Sequence, residues 1–241
     1  MYTLTAADFA DTGQWRLLLK IGCTGLDAAL ENTLHTEIEP QTLCSVKWDV
    51  NRDELLHNIE EAVFNNPRLL DDFATKIILY DPRTLFIPTE LAEETSGAEE
   101  ELYQKVYTAD YSDIMTDSDR DLTAAWSLAP GVKSFLMRTF PGARITCNLM
   151  EKVRRLREDN KGVSIYAQAR EGEADIIMLE DNGLISASTH EWVHPDDIAY
   201  LCLNLMDVYG YRPAEVKVYT EGVSDDTEAW RVVKQTLNNK H

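Results

Sequence analysis

A metal or disulfide framework is the first thing this sequence lacks. Its four cysteines, Cys23, Cys44, Cys147 and Cys202, are scattered without a CxxC pair, so they read as free thiols packed like small hydrophobes. No apolar run approaches the roughly 20 residues that a membrane-spanning helix needs. The start, Met1-Tyr2-Thr3-Leu4-Thr5, has neither the basic nor the apolar region of a secretory signal. Bases are scarce: 23 Lys and Arg stand against 42 Asp and Glu, a formal net charge of -19. Nucleic acids and anionic membranes are bound through cations, so this balance argues against both as partners. The one basic cluster, Lys152-Val153-Arg154-Arg155-Leu156-Arg157, is interrupted by apolar positions and reads as the solvated face of a helix. Neither GxxxxGK followed by Ser or Thr nor GxGxxG occurs. What remains is a cytoplasmic globular chain, and 241 residues suffice for two domains.

What is present is the same pattern twice. Trp15 to Ile21 is an apolar run of strand length, the glycines of Gly22-Cys23-Thr24-Gly25 mark a hairpin turn, and Leu26 to Leu30 resumes the strand. A third strand runs over Leu43 to Trp48. The next helix is capped by Asp49 or Asn51 and carries Leu55, Leu56, Ile59, Ala62 and Val63 on one stripe. Asn65-Asn66-Pro67 stops it, and Ala74 to Tyr80 is a fourth strand. In the second copy, Val163 to Ala167 and Ala174 to Leu179 are joined through Arg170-Glu171-Gly172-Glu173. After the turn Asp181-Asn182-Gly183 the strand Leu184 to Thr189 leads to Trp192. Pro195 then opens a helix, Glu215 to Thr220 is the fourth strand, and Glu221-Gly222-Val223-Ser224-Asp225-Asp226 caps a final helix through Leu237. Trp48 precedes Asp53 by five residues, as Trp192 precedes Asp197.

A strand-strand-strand-helix-strand unit occurring twice points to an α/β chain with a duplicated ribonuclease H-like core, the architecture of actin, sugar kinases and Hsp70 ATPase domains. Each half is expected to hold a mixed five-stranded sheet with flanking helices. The first spans 1–148, with an acidic insertion at 89–120 read as a short helix and a mobile surface segment. Strand Leu122 to Leu128, helix Gly131 to Phe140 and strand Ala143 to Cys147 complete it. Helix Met150 to Glu158 links it to the second half, 149–241.

Two constellations bear on chemistry. His190-Glu191-Trp192-Val193-His194 matches HExxH, which on a helix sets two imidazoles one turn apart around a zinc. Strand-type residues precede it and Pro195 follows, biasing His194 away from helical geometry. In a strand the two α-carbons stand roughly 13 Å apart at about 3.3 Å per residue, so no metal is expected. In an actin-type ATPase the first hairpin of each half holds phosphates on main-chain N–H groups, and an aspartate orients magnesium or the attacking water. Here Lys20 and Ile21 stand where that aspartate is wanted, and Glu171 and Glu173 occupy the second turn. The nucleotide cleft therefore reads as degenerate, reduced to Gly22, Thr24, Gly172 and Gly222.

The stretch Leu79-Tyr80-Asp81-Pro82-Arg83-Thr84-Leu85-Phe86-Ile87-Pro88, followed by an acidic helix, resembles a family of bacterial proteins of unknown function with an actin-like ATPase fold. Strand Leu122 to Leu128 with helix Gly131 to Phe140 is also similar to the corresponding unit of the actin-like pilus-assembly proteins, which act by binding partners. The resemblance implies a fold and carries over no catalytic residue. The expectation is a non-catalytic binding or scaffolding module with a protein partner and no cofactor. The alternative is a divergent nucleotide-dependent ATPase or phosphotransferase drawing its acids from Asp27 or Asp175 on the second strands.

Overall fold

The computed structural model describes residues 12–35, 37–49, 54–94, 97–107, 113–170, 172–222 and 230. They fall into two compact units, one within Met1–Pro82 and Ile87–Asn148, the other within Arg83–Phe86 and Leu149–His241.

The first unit is built on a five-stranded sheet. β1 (Trp15–Gly22) buries Trp15, Leu17, Leu19 and Ile21 on alternate positions, the period-two pattern of a strand with one face on the core. It pairs antiparallel with β2 (Gly25–Asn32), which pairs antiparallel with β3 (Gln41–Lys47). Its other edge pairs parallel with β4 (Thr75–Tyr80), and β4 with β8 (Arg144–Cys147), giving the order β3-β2-β1-β4-β8. Helix α1 (Leu55–Phe64) buries Leu55, Ile59, Ala62 and Val63. At roughly 1.5–3 kcal/mol for a fully buried large aliphatic side chain, this stripe anchors the helix on the core more strongly than its ends do. Its N-cap is Glu54, with no side-chain cap bond. The expected cap Asp49 lies upstream of it, and Asn51 and Asp53 lie outside the described residues.

The region 89–120 differs from its reading as a short helix and a mobile segment. It contains two helices, α2 (Thr89–Glu94) and α3 (Ala98–Val106), and a strand, β6 (Asp113–Asp119). β7 (Leu122–Leu128) does not extend the main sheet with β8. It pairs antiparallel with β6 and lies between it and β5 (Thr84–Pro88) in a separate three-stranded sheet. Asp117 on β6 ties this sheet to β8. It accepts a 2.5 Å bond from Thr146 Oγ1, and an Arg144 nitrogen lies 3.5 Å away, so an acid that reads as solvation is held against β8. Helix α4 (Val132–Thr139) buries Val132, Phe135 and Leu136 and precedes β8 as expected.

The second unit repeats the first four strands. β9 (Val163–Ala169), β10 (Glu173–Glu180), β11 (Gly183–Glu191) and β12 (Val216–Glu221) lie in the order β11-β10-β9-β12, with β12 parallel to β9. The sequence pattern calls for a fifth strand here, and among the described residues this sheet has four. On one face, Ile165, Ala167, Ala174, Ile176 and Met178 pack with Ile198, Ala199, Cys202 and Met206 of α6 (Pro195–Val208) and with Trp230. α5 (Asn148–Asp159) buries Leu149, Met150, Val153 and Arg157. Its Lys152 reaches Asp175 on the β10 face turned away from α6. Of the expected final helix, only Trp230 lies within the described residues.

Candidate functional site

In the first unit, Gly22 pairs with Gly25 and leaves Cys23 and Thr24 at the hairpin tip. Trp48, just past β3, donates its main-chain N–H to the Thr24 carbonyl at 3.0 Å and its indole N–H to the Cys23 carbonyl at 3.0 Å. Gly22 and Thr24 are thus together in a turn closed by tryptophan.

In the second unit, Gly172 sits in the β9–β10 turn at φ +75° and Gly222 follows β12 at φ +72°, both in the left-handed region that favours glycine. A Cβ on Gly222 would lie 2.5 Å from the Ala169 carbonyl oxygen, so β12 leaves the sheet pressed against the end of β9. Here too a tryptophan closes the turn. Trp192 donates its N–H to the Gly172 carbonyl at 3.1 Å, and its indole N–H lies 3.0 Å from the carbonyls of both Arg170 and Glu173. The Arg170 guanidinium turns back onto the sheet, 3.1 Å from Asp175 and 3.6 Å from Glu173. Glu171 lies outside the described residues.

Both second-strand aspartates are held by their own unit. Asp27 accepts a 2.5 Å bond from Ser45 Oγ, and the two residues are register partners on β2 and β3. Asp175 accepts a 2.6 Å bond from Thr189 Oγ1, its register partner on β11. Asp175 is 1% exposed and also meets Lys152 and Arg170, so a buried carboxylate faces two cations and a hydroxyl. Burying a charge is tolerable only with such partners. A lone acid inside the apolar strand Glu173–Glu180 is the sequence signal for such a network, but it names none of the partners.

The HExxH residues form no metal centre. His190 lies on β11 with its ring 2.7 Å from Ser188 Oγ, and burial lowers its pKa. His194 caps α6, its Nδ1 accepting the Asp196 N–H at 3.3 Å. Asp197 accepts N–H bonds from Val193 and His194 at 3.0 and 2.9 Å, and those bonds hold its carboxyl below the usual range. Among the described residues no cluster of three His, Cys, Asp or Glu could hold a metal ion.

A pocket of about 210 Å³ opens over one corner of the second sheet. Its floor is two rows across three strands. Asp175, Gln168 and Glu221 are register neighbours in one row, and Ile177, Tyr166 and Tyr219 in the next. The Tyr166 and Tyr219 rings stack at 4.8 Å with a 13° interplanar angle, and Gln168 Nε2 donates to Glu221 at 2.6 Å. Burial, then the neighbouring Tyr219, raises the Tyr166 pKa. Lys152, Arg155 and Leu156 of α5 form the wall. Asp175 and the basic run of α5 stand out in the sequence, but their convergence with Tyr166, Gln168, Tyr219 and Glu221 does not.

Two sheets with this strand order and these hairpin turns define the class: the chain has an actin-like ATPase fold. A Bacteroides thetaiotaomicron protein with actin-like ATPase fold and unknown function matches at TM-score 0.78 and 18% identity, over 95% of this chain and 89% of that one. A chain of the PilM–PilN type IV pilus biogenesis complex matches at TM-score 0.50 and 9% identity, over 92% and 85%. The model of the DUF3822 family, proteins of unknown function, matches residues 5–236, and the chain belongs to that family. No curated protein matches the sequence. Among the described residues no helix is long and apolar enough to cross a membrane.

Proposed function

We propose that this chain is a non-catalytic, actin-like binding module of a bacterial cytoplasm that works through a protein partner, without nucleic acid or membrane. Its halves, 1–148 and 149–241, are read as products of an internal duplication. The shared strand order and the matched Trp48 and Trp192 support that origin. The observation that carries the functional reading is the commitment of the groups a nucleotide would need. Asp175 is spent on Lys152, Arg170 and Thr189, and Asp27 on Ser45. An aspartate so engaged is poorly placed to orient magnesium or water. The pilus-biogenesis neighbour is named for a complex of two proteins, which fits a fold used for partner binding.

The test is Mg-ATP. Ligand at 100 times its dissociation constant would stabilise the fold by roughly 2.7 kcal/mol, a plain rise in melting temperature. Millimolar Mg-ATP is expected to give no rise and no hydrolysis above background. A saturable rise abolished by Gly22→Val or Gly222→Val would establish the nucleotide-dependent reading instead.

A further inference from the structure

We propose that the corner pocket of the second unit binds a small zwitterion, a free amino acid with an apolar or aromatic side chain. This is independent of the protein-partner reading and rests on three features of the pocket.

The first is charge. Lys152 is committed to Asp175, but the neighbouring Arg155, on the exposed flank of α5, makes no ion pair among the described residues. Across the pocket Glu221 is bonded to the neutral Gln168 amide and to no cation among the described residues. One guanidinium and one carboxylate, neither in an ion pair among the described residues, therefore border the same space. An anion alone would answer Arg155 and face Glu221, and a cation alone would do the reverse. Each mismatch sets like charges against each other at contact range and disfavours binding. A ligand carrying both charges answers both groups, with its carboxylate at the Arg155 fork and its ammonium at Glu221.

The second feature is size. A volume of about 210 Å³ exceeds the roughly 150 Å³ cavity that takes benzene and falls short of the roughly 300–1,000 Å³ of drug-sized sites. One ring or branched aliphatic chain with its α-carbon groups fills it, and a mononucleotide overfills it. The third is lining. Beyond the charged rim the surface is Leu156 with the stacked Tyr166 and Tyr219, apolar bodies suited to a hydrocarbon side chain.

The experiment is thermal shift and calorimetry on the full chain with each of the twenty free amino acids. Arg155→Met and Glu221→Gln are tested beside the parent, with far-UV circular dichroism to verify folding of these surface variants. At least one apolar or aromatic amino acid is expected to bind saturably, and each substitution to weaken it tenfold or more. The N-acetyl and carboxamide derivatives of that amino acid, each lacking one charge, are expected to lose at least as much. No saturable binding by any amino acid would overturn the proposal. So would binding indifferent to both substitutions, or equal binding of the N-acetyl derivative, which would make the pocket an anion site.

Discussion

Trp48 and Trp192 each donate their main-chain and indole N–H groups to carbonyls of the first hairpin turn of their own sheet. The third strand of each sheet thereby fixes the turn that joins the first two. Replacing Trp192 by Phe keeps a benzene ring in place and removes the indole N–H that two carbonyls share. A net loss of about 1–2 kcal/mol is expected in denaturant titration. Trp48→Phe, which removes one more exposed bond, should cost less. A reversed order would mean that ring packing and not the N–H fixes the turns.

Asp175 is a buried anion whose removal leaves two cations unanswered. Asp175→Ala leaves Lys152 and Arg170 facing each other without their anion, and a loss of about 3–5 kcal/mol is expected. Thr189→Val removes one hydroxyl bond and should cost about 1 kcal/mol. Adding Lys152→Met to Asp175→Ala should recover part of the loss. Simple additivity of the two would show that the pair is not coupled.

The sheets were legible because their signals are local. Alternation in Trp15 to Ile21 and turns such as Asp181-Asn182-Gly183 read directly as strands and hairpins. β6 was not legible, because Asp-Ile-Met-Thr-Asp-Ser-Asp looks like a solvated acidic run until Arg144 and Thr146, distant in sequence, come beside it. The site followed the same division. Gly172 and Gly222 were legible as turn residues, while the partners of Asp175 come from α5, the β9–β10 turn and β11 and share no spacing a sequence can display.

The cap of α6 gives a pH dependence with a definite sign. N–H bonds from His194 and then Val193 lower the Asp197 pKa in the fold, so its contribution is present above the unfolded value of about 3.9 and is lost as pH falls through the lower folded value. The stability difference between the parent and Asp197→Asn should be constant near neutral pH and shrink on acidification below about pH 4. A difference unchanged at pH 2 would mean that the carboxylate charge plays no part.

Two left-handed glycines should respond differently to alanine. Gly172→Ala meets no atom within 4 Å and pays only for its positive φ, about 1–2 kcal/mol. Gly222→Ala adds a 2.5 Å approach to the Ala169 carbonyl and should be the more damaging in thermal unfolding. Equal losses would show that β12 yields at its end.

Thiol reagents should separate the cysteines. Cys23 is exposed at a hairpin tip, whereas burial pushes the Cys202 thiol up to about 12 and Cys147 is fully buried. In the native protein Cys23 should label first, with Cys147 and Cys202 labelling only on unfolding. Early labelling of Cys202 would reveal opening of the α6 face.

The link from Asp117 to Thr146 and Arg144 joins the small sheet to the large one through a side chain, where the strands of each sheet are joined by main-chain ladders. It behaves as a hinge pin. Withdrawing it, as in Asp117→Ala, would loosen β6 from β8 without touching the β6–β7 ladder.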